Sequence, residues 1–201
     1  MIRVLLAEDQ GMVRGALATL LELEPDIEVV AQVASGSDVV ASALATSPDA
    51  ALLDIEMPGL DGLAAAAALH RELPACAILI LTTFGRPGYL RRAMEAGAVG
   101  FLVKDGPAED LAAAIRRAIA GDRVIDTRLA ATALSAGPNP LTARERDVLA
   151  AAADGAAVTS IAARLVLTEG TVRNYLSSAI QKLGVANRAE AIRQAQDQGW
   201  L

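Results

Sequence analysis

Five short apolar runs in the first 103 residues constrain the fold of this chain more than any other feature. The runs are IRVLLA (2–7), IEVVAQV (27–33), AALLD (50–54), AILILT (77–82) and VGFLV (99–103). Segments of helical length and period separate them, a pattern typical of βα units around a parallel sheet. Strands this uniformly apolar are expected where helices cover both faces of the sheet. We therefore predict an α/β domain with a five-stranded, flavodoxin-like, doubly wound sheet.

The second half of the chain changes character. Residues 121–140, GDRVIDTRLAATALSAGPNP, lose the strand pattern and end in a Gly-Pro-Asn-Pro cluster that breaks regular structure. Beyond them, helical periods cover 142–153, 158–165, 169–183 and 187–197. This pattern predicts a compact all-α module. We divide the chain into an N-terminal domain (1–121), a linker (122–140) and a C-terminal domain (141–201).

Length and cysteine content indicate where such a chain works. A chain of 201 residues suits two domains of roughly 100 residues each. The single cysteine, Cys76, excludes an intramolecular disulfide framework. The N-terminus has no secretory leader pattern, and no apolar run approaches the roughly 18 residues that span a membrane. We expect a soluble, cytoplasmic protein.

Three acidic residues fall where predicted strands end. Glu8 and Asp9 follow the first run, and Asp54 ends the third. Because the carboxyl ends of parallel strands meet at one edge of a sheet, we expect these side chains to converge. Clustered carboxylates repel each other unless a cation intervenes, and hard oxygen ligands favour Mg²⁺. For Glu8 and Asp9 taken alone, two solvated loop acids are an equally good interpretation.

Thr82 and Lys104 end the fourth and fifth runs and should reach the same edge. Lys104 is one of only two lysines among 18 basic residues. The set suits phosphoryl transfer onto Asp54, with Mg²⁺, Lys104 and Thr82 stabilising the transferred group. We expect no enzymatic activity beyond the chain's own phosphorylation and dephosphorylation. The alternatives are a small-molecule phosphatase, against which the missing D-x-D motif and substrate cap argue, and a receiver that ignores phosphate.

The motifs AEDQ, LLDIEMPGLDG, LILTTF and GFLVKD stand in an order and spacing that resembles the receiver domain of two-component response regulators. The resemblance spans 1–121 and implies that Asp54 is the phosphoacceptor. It further implies metal binding by Glu8, Asp9, Asp54 and the main-chain carbonyl of Glu56, and switching by Thr82 and Phe101 beside Lys104. Phe101 replaces a frequent tyrosine, and Asp105 replaces a frequent proline. Glu56 and Phe84 occupy the positions that tune phosphate lifetime in the family.

The short turn VLT joins the predicted helices 158–165 and 169–183 in the form of a helix-turn-helix. Residues 138–201 hold 6 acids and 7 bases, so a DNA-binding role must rest on this motif and not on net charge. Helical spacing predicts that Val172, Leu176, Ile180 and Leu183 form a buried stripe. The polar residues predicted to face DNA are Thr168, Thr171, Arg173, Asn174, Ser177, Ser178 and Lys182. The alternative is an ordinary solvated helix face.

The second domain is also similar to the LuxR/NarL-type DNA-binding domain through LT-RE-VL, IA-L, GTVRNY, KLGV and NRAEAI. Tyr175 departs from a histidine often found there. The resemblance implies four partners: promoter DNA, a cognate sensor histidine kinase in the membrane, RNA polymerase, and a second copy of the chain after phosphorylation. Candidates for the surface that pairs two receivers are Met12, Leu17, Leu111 and Ile115. The alternative is that these side chains pack on their own sheet.

Overall fold

The computed structural model describes residues 1–83, 87–104, 106, 108–126, 129–130 and 139–201. Phe84 and Asp105 lie outside these described residues. The chain divides into two compact units, the first α/β and the second helical. Each unit is therefore considered separately.

The described residues of the first unit form a six-stranded parallel sheet. Its strands are β1 (Ile2–Ala7), β2 (Ile27–Val33), β3 (Ala50–Asp54), β4 (Ala77–Thr82), β5 (Gly100–Val103) and β6 (Val124–Ile125). They lie in the order β2-β1-β3-β4-β5-β6, with every neighbouring pair parallel. The predicted doubly wound α/β fold and its five strands are confirmed.

The sixth strand corrects the prediction that strand structure ends before residue 121. The amide of Val124 donates to the Val99 carbonyl at 2.9 Å, and the amide of Asp126 donates to the Phe101 carbonyl at 3.2 Å. These bonds attach β6 to the free edge of β5. A strand of two residues is too short for any alternation of apolar and polar residues to reveal it.

Helices cover the sheet. They are α1 (Gly11–Glu22), α2 (Val39–Thr46), α3 (Gly62–Glu72), α4 (Pro87–Glu95) and α5 (Ala108–Ile119). Asp61 caps α3, since its Oδ1 accepts a hydrogen bond from the Ala64 amide at 2.7 Å. Every residue of β3 is buried, as a sheet covered on both sides requires. The fold thereby carries Asp54 to the end of a fully buried strand.

The predicted receiver pairing surface is only partly exposed. Met12 on α1 is 91% exposed, and Leu17 is half-buried. Leu111 and Ile115 on α5 are 9% and 0% exposed and belong to the core that α5 forms with the sheet. The prediction that Leu111 and Ile115 lie on an exposed pairing surface is therefore wrong. Both residues belong to the apolar stripe by which α5 packs on its own domain.

Residues 139–201, the described part of the helical unit, contain the four predicted helices. They are α6 (Ala143–Ala151), α7 (Val158–Leu165), α8 (Glu169–Leu183) and α9 (Arg188–Asp197). Leu149, Ile161, Val172 and Trp200 lie in their shared core. In either unit, no helix formed by the described residues is long and apolar enough to cross a membrane.

Candidate phosphoryl-transfer site and nucleic-acid interface

Three carboxylates meet at the carboxyl end of the sheet. Glu8 follows β1 directly, Asp9 comes next, and Asp54 is the last residue of β3. One oxygen from each of the three lies within 4.8 Å of the others. Glu8 and Asp54 are buried, whereas Asp9 is exposed. The parallel pairing of β1 with β3 brings together residues that lie more than forty positions apart.

Lys104 bridges the two buried carboxylates. Its Nζ lies 2.5 Å from Glu8 Oε2 and 2.8 Å from Asp54 Oδ1. Burial lowers the pKa of the Lys104 ammonium, but hydrogen bonds and charge attraction from Asp54 and Glu8 outweigh burial and raise that pKa above its usual value. Three carboxylates and one ammonium leave a formal charge of about −2 at this edge. Such an all-oxygen acidic site suits a divalent cation.

Thr82 and Phe101 lie on the strands that flank this cluster. Thr82 ends β4 and is buried, and its carbonyl accepts a hydrogen bond from the Lys104 amide at 2.8 Å. This main-chain bond fixes Thr82 and Lys104 next to each other at the sheet edge. Phe101 on β5 is completely buried. Its role in switching, which the receiver resemblance implies, stays a prediction.

Glu56 lies in the loop that follows Asp54. Its side chain is exposed, and the ligand that the receiver resemblance implies is its main-chain carbonyl. The neighbouring Ile55 carbonyl accepts hydrogen bonds from the amides of Met57 and Gly62, at 3.2 and 2.9 Å. These two bonds shape the loop that follows Asp54. Metal binding by the Glu56 carbonyl stays a prediction.

Two residues that support the site were missed at the sequence level. A Cβ on Gly62 would collide with the carbonyl oxygen of Asp54, so only glycine allows α3 to begin against β3. The Asp-Gly pair at 61–62 was the available signal. Arg14 on α1 donates from Nη1 to the Glu8 carbonyl at 2.5 Å and so holds the loop that carries the acidic pair. Nothing in the sequence pattern distinguished Arg14 from a surface arginine.

In the second unit, α8 presents part of the predicted DNA-facing set. Thr168 caps α8 by accepting from the Thr171 amide at 3.2 Å, and the two hydroxyls lie 2.8 Å apart. Asn174 and Ser177 are exposed, and Arg173 is exposed with its Nη2 2.6 Å from Glu169 Oε2. The opposite side of α8 is buried in the core. The first half of α8 thus has the amphipathic form expected of a recognition helix.

Ser178 and Lys182 have a different environment from the rest of the set. Ser178 Oγ donates to Glu145 Oε1 at 2.6 Å, and Lys182 Nζ donates to Glu145 Oε2 at 2.8 Å. Glu145 lies on α6 and is 3% exposed. Tyr175 is half-buried and packs against the core. Two polar side chains on the last two turns of α8, Ser178 and Lys182, therefore bond to their own unit.

Comparison with known proteins agrees with both units. The model of the response regulator receiver domain matches residues 4–116, and the model of bacterial regulatory proteins of the luxR family matches residues 139–195. The chain belongs to the bacterial response regulators and is a DNA-binding transcriptional regulator with a receiver domain and a LuxR-type domain. The predicted family is thereby confirmed.

Individual relatives match over the full length. The chain is 48% identical to the transcriptional regulatory protein DesR of Bacillus subtilis (strain 168) over 201 residues, which cover 100% of both chains. It is 45% identical to the uncharacterized transcriptional regulatory protein YvfU of the same strain, again over 100% of both. The crystal structure of response regulator ChrA, from a heme-sensing two-component system, matches with a TM-score of 0.59 at 33% identity and covers 100% of this chain and 98% of that one.

Proposed function

We propose that Asp54 accepts a phosphoryl group from a sensor histidine kinase in the membrane, and that phosphorylation drives two copies of the chain to bind promoter DNA through α8. One observation carries the proposal. The buried carboxylate of Asp54 lies 2.8 Å from the ammonium of Lys104, which also pairs with buried Glu8. A bacterial protein that binds promoter DNA works in the cytoplasm, where RNA polymerase is a further partner in this proposal.

The acidic cluster suits Mg²⁺ as the resident cation. Glu8, Asp9, Asp54 and the carbonyl of Glu56 would hold it, since hard oxygen ligands match this ion and the cluster carries a formal excess of two negative charges. When bound, Mg²⁺ neutralises negative charge on the carboxylates and on the phosphoryl oxygens. Lys104 alone offsets only one of the three carboxylates.

The side chains of this domain account for the transfer step. A carboxylate oxygen of Asp54 attacks phosphorus, the P–N bond to the kinase histidine breaks, and its electron pair leaves with the imidazole. Lys104 transfers a hydrogen bond from Asp54 to the phosphoryl group, and the Thr82 hydroxyl binds a second phosphoryl oxygen. Attack by water on phosphorus later releases phosphate and regenerates the Asp54 carboxylate. No other substrate turns over in this scheme.

In this proposal the helical unit binds the DNA. The side chains of Arg173, Asn174 and Ser177 are exposed on α8, where a helix lying in the major groove would present them to base edges. Thr168 and Thr171 lie at the N-terminus of α8, a position suited to phosphate contacts. A module with nearly balanced charge makes few phosphate contacts, so we expect stable binding only from two copies on a repeated site.

The test uses the full chain with acetyl phosphate and Mg²⁺. We expect one added phosphoryl group by intact mass, and tighter binding to a duplex that the phosphorylated protein has selected from a random pool. Asp54→Asn should gain no phosphoryl group. Asp38→Asn is the matched control, because Asp38 is exposed and makes no capping hydrogen bond at α2.

Each alternative has its own outcome in this experiment. Labelling of Asp54→Asn at the wild-type level would refute the phosphoacceptor assignment. Labelling of the wild type without any change in DNA affinity would favour a receiver that ignores phosphate. Continuous release of phosphate from simple phosphate esters would favour a phosphatase.

A further inference from the structure

A buried carboxylate connects α6 to the C-terminal half of α8. Glu145 is 3% exposed, and both of its oxygens are engaged. Oε1 accepts from Ser178 Oγ at 2.6 Å, and Oε2 accepts from Lys182 Nζ at 2.8 Å and from the Thr142 amide at 2.7 Å. Ser178 and Lys182 lie 33 and 37 positions from Glu145 in the sequence. Their bonds to Glu145 are therefore tertiary contacts and not local caps.

The charges in this cluster are balanced. Burial raises the pKa of the Glu145 carboxyl, but the hydrogen bonds from Lys182, Ser178 and Thr142 outweigh burial and lower that pKa to about 2. One carboxylate faces one ammonium, and both carboxylate oxygens accept hydrogen bonds. The positive charge of Lys182 is thus largely offset within the protein.

The placement of these contacts restricts rotation of α8. Ser178 and Lys182 are four residues apart and therefore lie on one face of the helix in successive turns. An apolar stripe alone tolerates small rotations of a helix about its axis, whereas two hydrogen bonds to one fixed carboxylate do not. Arg173, Asn174 and Ser177 are the exposed polar residues whose direction depends on that rotation.

We propose that Glu145 is a positioning residue for the recognition helix: it anchors Ser178 and Lys182 so that α8 presents Arg173, Asn174 and Ser177 to DNA. The inference rests on the proposed DNA contacts of α8. It assigns Ser178 and Lys182 to the anchor, where they act through Glu145 and do not read bases or bind phosphates.

Salt dependence separates an anchor from a phosphate contact. The probe is a DNA duplex that the full-length wild type selects from a random pool. Enrichment of a sequence from that pool shows that the wild type binds DNA specifically, whatever the role of Glu145. We expect Lys182→Met to weaken binding several-fold with an unchanged slope of log affinity against log salt. Loss of a phosphate contact would reduce that slope by about 0.9. Lys182→Arg, which keeps a cation opposite Glu145, should bind within about threefold of wild type.

Glu145→Gln tests the positioning role directly. We expect about tenfold weaker binding to the selected duplex and less than a twofold change for a random-sequence duplex, after correction for the folded fraction. The fluorescence of Trp200, the only tryptophan and a core residue of this unit, gives that fraction. Glu145→Gln combined with Lys182→Met should bind the selected duplex no more weakly than Glu145→Gln alone, because both substitutions break the same contact. A slope reduced by about 0.9 in Lys182→Met, or selected-duplex binding within twofold of wild type in Glu145→Gln, would overturn the proposal.

Discussion

The two domains use a lysine in contrasting ways. The chain has two lysines, and each pairs with buried acid: Lys104 with Glu8 and Asp54 in the receiver, Lys182 with Glu145 in the helical unit. Among the described residues, these are all of the buried acidic side chains. In the receiver one ammonium faces two buried carboxylates and exposed Asp9 lies beside them, whereas in the helical unit one ammonium faces one carboxylate.

This difference in charge balance distinguishes a reactive site from an anchor. The receiver cluster retains an excess of negative charge, so a cation has a reason to bind there, and a bound cation together with Lys104 would offset the charge of an incoming phosphoryl group. The Glu145 cluster is formally neutral and both carboxylate oxygens are hydrogen-bonded, so it has no excess charge that would attract a cation. Substitutions in the two clusters should therefore change stability in opposite directions.

The largest expected effect is a loss of stability in the helical unit of Glu145→Gln. We expect the free energy of unfolding to fall by roughly 3 kcal/mol, because Lys182 loses its ion pair and a buried carboxylate network is broken. Urea titration followed by Trp200 fluorescence measures this unit. Thr142 and Glu145 also form a reciprocal cap at the start of α6. Glu190→Gln is the matched control, since Asn187 and Glu190 form a similar cap on α9 without a lysine. Equal losses in the two variants would show that Glu145 acts only as a cap.

Acid should weaken the helical unit for the same reason. The pKa of Glu145 is about 2 in the folded protein against 4.5 ordinarily, so its stabilising effect is complete above about pH 4.5 and is lost as pH falls through 2. We expect a loss of roughly 3 kcal/mol between pH 5 and pH 2. Glu145→Gln should lack this contribution when Trp200 fluorescence follows unfolding at each pH. An identical pH dependence in both proteins would contradict the role of Glu145.

An exposed ion pair in the same unit should affect DNA binding and leave stability nearly unchanged. Arg173 pairs with Glu169 at the surface, and such pairs contribute little to folding. We expect Arg173→Ala to weaken binding to a selected duplex by about 1 to 2 kcal/mol. Glu169→Ala frees the arginine and should bind at least as tightly as wild type in the same fluorescence anisotropy titration. Unchanged affinity in Arg173→Ala across salt concentrations would remove Arg173 from the interface.

The smallest effect has the opposite sign. Without Mg²⁺, Asp54→Asn should stabilise the receiver by about 1 kcal/mol, because Lys104 then faces one buried carboxylate and repulsion with Glu8 is removed. Hydrogen exchange in peptides from β1 and β3 measures this change. Added Mg²⁺ should stabilise the wild type more than the variant, since Asp54 is a proposed ligand. A destabilised variant would show that the two carboxylates do not compete for Lys104.

Most of the fold was predictable because its elements are periodic. The strands β1 to β4 begin and end where the apolar runs do, and helices α7 and α8 have the predicted bounds. β6 was missed because its pairing with β5, not its two-residue sequence, makes it a strand. Leu111 and Ile115 were misplaced because an apolar helical stripe has the same appearance whether it faces its own sheet or a partner.

The sequence by itself determined the order of the strands' apolar runs, the separation of an α/β half from a helical half, and the residue types at the strand ends. These are local properties, since periodicity and side-chain chemistry are visible within a few residues. Only the tertiary structure decided which charges meet. It brought Lys104 to Glu8 across 96 positions and drew Ser178 and Lys182 to Glu145, because pairing between distant residues depends on packing that no local pattern encodes.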